Sequence, residues 1–587
     1  MDVSSPFRLP RKTPFGLGEN LTEWATGLSR LDKFYAKRPA NATTEQFLRY
    51  TLTILGIDYQ IAKGSLDPIP RSGATVVVAN HPLGCVEGVI LAELLLHIRQ
   101  DVQILANQYL KTVPELDRLF IGVDVFEGKQ AHKANLKALR LAHQHLEKGG
   151  ILLIFPAGEV SQLVDSKTQK LEDKEWSRSV ASLVRRSKAT TVPVFIDGQN
   201  SKRFYLAGKV HPLLRTLMLG RELLNKSHTP IRLSIGSVIK YKELHALSDT
   251  QIVNYLRLNT YLLAANTQLR SNKAPGIDLS GPIASPLPAS DLEVDLNQLP
   301  RDHHLLSSGE FDVYCTSADY IPSVLYEIGR LREKNFRAVG EGTGLALDID
   351  QFDGHYLHLF IWDREQRRLV GAYRLGLVDK LIEQQGVDAL YSRTLFEYDE
   401  RFINTMGCAI EMGRSVIDQP YQKSMGALLL LWKGIATFVS RHPHYTHLFG
   451  PVSISSDYSE QARQLLAETM TLHHYDTKAA EYVSPSNPLP KHDTHWNTSM
   501  LTALADLQLL SRVIDRIDEG KGVPVLLRQY LNLNGKLVSF NVDPDFNNAL
   551  DGLIMVDLTR VGTKTLARYM GQDAASQYLD HHHTRAD

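Results

Sequence analysis

Between Ser271 and Leu299 the chain reads SNKAPGIDLSGPIASPLPASDLEVDLNQL. Four prolines, Pro275, Pro282, Pro286 and Pro288, stand there among Gly, Ser and Ala. Proline lacks an N–H and restricts the residue before it, so neither a central strand nor a helix interior tolerates such a run. An extended linker is the predicted outcome. It divides the 587 residues into two stretches, each long enough to bury its own core. The predicted organisation is a domain over 1–270, a linker over 271–299, a second domain over 300–579 and a flexible tail over 580–587. A second loop-like stretch, Ser484–Asp493 (SPSNPLPKHD), falls inside the second domain.

Composition narrows the function classes. With 43% hydrophobic and 22% charged residues the chain is an ordinary globular protein, not a disordered, collagen-like or coiled-coil one. Its three cysteines, Cys85, Cys315 and Cys408, are too few for a disulfide framework and lack the paired spacing of a zinc site, so a reducing cytoplasm is expected and no metal is called for. The opening residues have no apolar stretch of the signal-peptide kind. No run reaches the ~18 apolar residues of a membrane span; the nearest, Gly88–Ile98, contains Glu93. The net charge of +0 conceals an asymmetry. Residues 1–270 carry 36 Lys and Arg against 24 Asp and Glu, a net +12 that the remainder cancels. A basic front part suits an anionic partner such as a membrane surface or an acidic protein, unless the two parts only neutralise each other. The closing His581, His582 and His583 read as part of the frayed tail.

The first part alternates strand-like and helix-like runs, the pattern of an α/β domain. Thr75–Ala79, Val102–Ala106, Ile151–Phe155 and Val192–Ile196 read as strands; Val86–Arg99 and Gln130–Lys148 read as helices. Where the first of these strands ends, the sequence is Asn80-His81-Pro82-Leu83-Gly84-Cys85-Val86-Glu87-Gly88. A strand's carboxyl end is the favoured place for a site in an open α/β sheet. A histidine there suits general-base work, and Glu87, about one helical turn on, suits the carboxylate that orients it. The alternative is a capping histidine beside an unrelated glutamate. Phe155-Pro156-Ala157-Gly158-Glu159 follows a later strand, and Val192-Pro193-Val194 lies on the next. In this order the three motifs resemble the glycerolipid acyltransferases of the PlsC type, over roughly Leu52–Ile239. The resemblance implies that His81 deprotonates an acceptor hydroxyl, that Glu87 orients His81, and that Phe155, Pro156, Gly158 and Glu159 line the acceptor site. Glu stands six residues after His where Asp at five is usual, and Ala157 stands where Glu is usual. These departures resemble the hemolysin-like branch, which includes ornithine-lipid O-acyltransferases. The stretch Leu213–Leu224, with Arg215 and Arg221 among leucines, reads as a helix for a membrane interface or for the core.

The second part is mixed, with a hairpin over Tyr356–Trp362 and Leu369–Leu375 and helices over Ala318–Lys334, Ser424–Val439, Leu501–Arg516 and Pro524–Leu531. Strands are predicted near Leu448–Ile454, Val538–Val542 and Leu553–Val556, giving an α+β fold on a mostly antiparallel sheet. Its signal is an order of residues: Arg332, Phe336, Asp350, Asp353, Arg374, Glu411 and Arg414. That order resembles the acyl-homoserine-lactone synthases and the ornithine N-acyltransferases, which share a GNAT-like fold; the wording EMGRS, LLLLWKGIATF and FGPVSIS favours the second group. The resemblance implies that Glu411 accepts a proton from an amine and that Arg374 or Arg414 holds an amino-acid carboxylate. The acidic residues equally suit pairing with the arginines as structure. Gln422–Ala427 stands where such enzymes bind the donor's pantetheine, in a degenerate form that suits a carrier protein.

The whole order resembles the bifunctional ornithine-lipid synthases. That implies N-acylation of ornithine with a 3-hydroxyacyl group by the second domain, then O-acylation of the lyso-ornithine lipid by the first. The resemblance further implies acyl-carrier protein as the donor, with acyl-CoA as an alternative, and calls for no cofactor and no nucleic acid. The expected place of work is the inner face of a bacterial cytoplasmic membrane, in peripheral contact. Other readings are the same chemistry on glycine or glutamine, acylation of a lysophospholipid, or a non-catalytic membrane-binding protein of haemolysin type.

Overall fold

A computed structural model describes residues 5–8, 17–124, 129–165, 170–210, 215, 218–227, 230–264, 281–423 and 426–583. The chain folds into two compact units. The first holds residues 1–269 and 494–509, and the second holds 270–493 and 510–587.

In the first unit, strands β1 (Tyr59–Lys63), β2 (Thr75–Ala79), β3 (Val102–Asn107), β4 (Phe120–Val123), β5 (Ile151–Ile154), β8 (Thr190–Asp197) and β9 (Ile231–Ile235) form one sheet. Their order is β1-β9-β8-β2-β5-β3-β4. Every neighbouring pair is parallel except β8 and β9. A separate hairpin pairs β6 (Gln162–Asp165) with β7 (Lys170–Glu172). Strands β2 and β5 are buried along their whole length, as unbroken apolar runs covered on both faces require. After β2 the chain turns directly into the helix Cys85–Leu96, which is buried almost all round. In the sheet β2 lies between β5 and β8, and the chain runs from β2 past the β5 position to β3, so the carboxyl end of β2 lies at a switch in strand order, the favoured place for a crevice in an open α/β sheet. The expected strands and both expected helices are all present. Of Leu213–Leu224, residues 213, 214, 216 and 217 lie outside the described residues; Leu219–Leu223 is a short helix.

In the second unit, β10 (His304–Ser308), β11 (Phe311–Ser317), β12 (Leu357–Asp363), β13 (Arg368–Leu377), β15 (Ala409–Ile417), β16 (His447–Ile454), β18 (Lys536–Asp543) and β19 (Ala549–Asp557) form an eight-stranded sheet. The order is β10-β11-β12-β13-β15-β16-β19-β18. Only β15 and β16 run parallel, and they pair only over Ala409–Glu411 and His447–Phe449. Beyond that point β15 stays on β13 as far as Ile417, and β16 stays on β19 as far as Ile454. The two strands therefore fork. Gly450 sits at the fork, where an added Cβ would lie 2.1 Å from the Met412 carbonyl oxygen. The expected hairpin is β12–β13.

Four expectations need correction. Ala289–Gln298, inside the predicted linker, is a helix whose Leu292 is buried against the core and whose Asp295 accepts hydrogen bonds from Ser323 N–H and Val324 N–H. All four prolines precede it, and Leu292, Leu296 and Leu299 carry helical spacing. Residues 271–280 lie outside the described residues. The single helix expected over 501–516 is broken: Thr498–Leu501 and a 3-10 turn end at Asp506, whose carboxylate caps a new helix, Leu507–Ile517, at Gln508 N–H and Leu509 N–H. Ser484–Pro485 (β17), inside the expected loop, pairs with Phe396–Glu397 (β14). The tail is helical as far as His583, and His582 Nε2 lies 2.8 Å from the Pro443 carbonyl oxygen.

Candidate active sites

In the first unit, β2 delivers Asn80 and His81 to the crevice. The Asn80 amide exchanges two hydrogen bonds with the Ile196 backbone on β8, which pins the two strand ends together. His81 Nδ1 lies 2.9 Å from Glu87 Oε1; the His81 side chain is 17% exposed and that of Glu87 0%. The contact is one of charge proximity, because the ring N–H is not aligned with the oxygen. The same Oε1 accepts hydrogen bonds from Leu83 N–H (3.0 Å) and Gly84 N–H (2.9 Å). Glu87 thus closes its own helix's first turn and presents a negative charge to the imidazole. The ring's other nitrogen, Nε2, has no hydrogen-bond partner among the described residues. Phe155 covers one face of the imidazole, with ring centroids 4.5 Å apart.

The FPAGE segment forms the adjoining wall. Gly158 has φ +71, a turn conformation that suits glycine, and its N–H bonds the Phe155 carbonyl. The Pro156 carbonyl accepts Ser177 N–H. Glu159 is held by Arg215 at 2.7 Å and by Lys174 at 3.5 Å. Sequence reasoning missed Asp173. This buried carboxylate accepts His81 N–H (3.2 Å), Ser161 Oγ–H (2.5 Å) and Trp176 Nε1–H (2.9 Å). Burial pushes its pKa above the ordinary carboxylate value in spite of those donors. It ties the His81 turn to the segment after FPAGE. Only Trp176 among its partners is close in sequence; His81 and Ser161 reach it from other segments.

In the second unit the predicted charged residues do meet. Arg332 bonds Asp353 (2.7 Å), and Arg374 reaches Asp350 (2.6 Å) and Asp353 (3.3 Å). Arg414 lies 3.3 Å from Asp350 and 3.4 Å from Asp348. The aspartates therefore pair the arginines, the structural alternative left open above. Burial alone would raise the Asp353 carboxyl, but Arg332 and Arg374 hold it well below the usual range. Arg374 lies over the rings of Tyr391 (5.0 Å) and Tyr356 (5.2 Å), and Arg414 lies over Phe546 (4.7 Å) and Tyr391 (4.9 Å). Arg414 has φ +49, unusual for a long side chain in a strand, beside the irregular β13–β15 register. Phe336 meets Phe546 edge to face. On Arg332 and Arg374, Nε and Nη2 are buried without a hydrogen-bond partner among the described residues.

Glu411 is placed differently from its expected role. Its carboxylate accepts the Tyr356 and Ser392 hydroxyls and the backbone N–H groups of Tyr391 (3.0 Å) and Ser392 (2.7 Å). Four donors turn it into a brace for the 390–392 turn. Of Gln422–Ala427, residues 424 and 425 lie outside the described residues. Among the described residues no group of three or more His, Cys, Asp or Glu is placed to hold a metal. No helix among them is long and apolar enough to cross a membrane.

Residues 33–269 match the family model described as acyltransferase, and residues 331–433 match that of the acetyltransferase (GNAT) domain. The two matches fall on different parts of the chain, and neither covers half of it. Among curated proteins it is similar to a glycine N(alpha)-acyltransferase of Bacteroides thetaiotaomicron, 29% identical over 44% of this chain and 80% of the relative. It is also similar to a lyso-glycine lipid O-acyltransferase of Phocaeicola vulgatus, 26% identical over 35% of this chain and 74% of the relative. A solved CoA-dependent acyl-homoserine lactone synthase aligns over 45% of this chain and 97% of its own, at 13% identity and a TM-score of 0.23.

Proposed function

We propose that the chain makes an amino-acid lipid in two acyl transfers. The GNAT-bearing unit joins a 3-hydroxyacyl group to the α-amine of an amino acid. The other unit then esterifies the 3-hydroxyl with a second acyl chain. The carrying observation is His81 at the carboxyl end of β2, with Glu87 Oε1 2.9 Å from its Nδ1. His81 Nε2 takes the hydroxyl proton as the oxygen attacks the thioester carbonyl, and Glu87 stabilises the imidazolium that forms. The proton then passes to the leaving thiolate. Phe155, tilted against the ring with centroids 4.5 Å apart, limits its rotation. In the other unit, the guanidinium edges of Arg374 and Arg332 that lack partners suit an amino-acid carboxylate.

The amino acid is ornithine in this reading, on the strength of the EMGRS segment and the residues around it. Glycine is the second reading, favoured by the curated relatives' names. The donor is an acyl thioester on a carrier protein, and the work is done at a cytoplasmic membrane face. The +12 excess over residues 1–270 supports an anionic surface as partner.

The test is a lipid extract, analysed by mass spectrometry, from a bacterium without amino-acid lipids that expresses this chain. Wild type should yield a diacylated amino-acid lipid, and His81→Ala its mono-acylated form. The head-group mass decides between ornithine and glycine. No new lipid from a folded wild-type protein refutes the proposal.

A further inference from the structure

With Glu411 locked as a brace, the amine's proton needs another acceptor. Strand register supplies one. Asp551 on β19 stands opposite Asn541 on β18 and Ser453 on β16. Side chains alternate along a strand, so Ser453, Asn541, Asp543 and Asp551 share one face of the sheet. The Ser453 hydroxyl donates to Asp551 Oδ1 at 2.6 Å, consistent with that face. Asp551 is 2% exposed and Asn541 0%. Yet Asp551 Oδ2 and Asn541 Nδ2, on this cross-strand pair, have no hydrogen-bond partner among the described residues. Buried polar atoms are rarely left so, and functional sites are where it is tolerated. The pair lies on the β16 side of the fork, while Arg414 lies on the β15 side and acts electrostatically on Asp551.

We propose that Asp551 is the proton acceptor for the amine nucleophile, with Asp543 and Glu341 as the like-charged neighbours that tune it and Asn541 as a donor to the bound acceptor. This rests on the amide-forming reading above. In the step, Asp551 takes one proton from the acceptor's ammonium and leaves a neutral amine. The amine nitrogen attacks the thioester carbonyl, the C–N bond forms and the C–S bond breaks. The nitrogen's surplus proton goes to the departing thiolate, giving amide and thiol.

Electrostatics agree with the placement. The charged and titratable groups acting on Asp551 are Asp543 from β18, Glu341 from the turn after the helix Pro322–Ala338, and Arg414 from β15; Tyr391 feels Asp551 in turn, and Asp457 acts on Glu341. Burial pushes Asp551 up to about 8, with Asp543 and Glu341 adding to the rise against Ser453 and Arg414. Burial also pushes Glu341 up to about 7. A carboxylate of that basicity is better matched to an ammonium than an ordinary one.

The test measures amide formation by the full chain from an acyl thioester and an amino acid, between pH 6 and 10. Wild-type kcat should rise with a midpoint near 8. Asp551→Asn should lower kcat by roughly 10²–10⁴-fold and abolish that limb, with the thioester KM unchanged. Glu341→Gln removes a like charge and should move the midpoint down. The free amine's own titration gives a limb that neither substitution moves, so an unmoved limb in Glu341→Gln overturns the proposal even if Asp551→Asn does not fold. Wild-type kcat in a folded Asp551→Asn protein overturns it too. If the wild-type chain forms no amide with any amino acid, the amide-forming reading falls, and the proposal with it.

Discussion

Replacing Glu87 with glutamine should separate two jobs of one carboxylate. Oε1 holds the N–H groups of Leu83 and Gly84, and it stands 2.9 Å from His81 Nδ1. Glutamine keeps a carbonyl oxygen for both N–H groups but removes the charge. At 2.9 Å and an effective dielectric of about 20, a full imidazolium–carboxylate pair is worth roughly 6 kcal/mol. With the imidazolium about half formed in the transition state, about 3 kcal/mol is lost, or roughly a hundredfold in kcat. Alanine removes the oxygen as well. It leaves two buried N–H groups unpaired, at about 1–3 kcal/mol each. The assay is esterification of an N-(3-hydroxyacyl) amino acid by the full chain, followed by mass spectrometry, beside thermal melts. Glutamine should cost activity while the melting temperature stays near wild type; alanine should cost both. Wild-type kcat in the glutamine protein would refute the charge argument. A glutamine protein that melts as early as the alanine protein would refute the claim that the two N–H bonds survive.

Three further expectations follow from the geometry. Asp173→Ala removes the anchor of His81 N–H and Ser161, and should lower esterification about tenfold or more while amide formation is unchanged, measured by paired product assays on one preparation. Gly450→Ala would put a Cβ 2.1 Å from the Met412 carbonyl, so it should cost about 1–3 kcal/mol and suppress amide formation; a fully active, fully stable protein would show that the fork tolerates a side chain. Asp353 has a folded pKa below its unfolded value, so its contribution to stability is present above about pH 4 and is lost as pH falls toward the folded pKa. Denaturant melts should therefore weaken on acidification, and Asp353→Asn should flatten that dependence.

The two sites were unequally legible. His81 and Glu87 lie within one strand–turn–helix, so local spacing alone placed them together. The arginines and aspartates of the second unit were found by their order, but which pairs form depends on how β13, β15 and the 348–353 loop converge. Glu411 looked available because its four donors come from Tyr356, Tyr391 and Ser392, none of them close in sequence. Asp551 and Asp173 were invisible for the same reason: each becomes notable only through burial and a cross-chain neighbour. The helix Ala289–Gln298 was hidden by composition, because prolines just before it coloured the whole stretch.

The assignment of residues 494–509 to the first unit bears on how this polypeptide can be dissected. Thr502 Oγ accepts a hydrogen bond from Asn254 Nδ2 at 3.0 Å, inside that unit. The backbone therefore passes from one unit to the other three times, near residues 269, 493 and 509. A stop codon after the first passage would not free an intact first unit; it would discard residues 494–509, which belong to it. Expression of residues 1–269 should give a protein rescued by supplying the missing strip as a separate peptide, or by grafting it onto the new terminus.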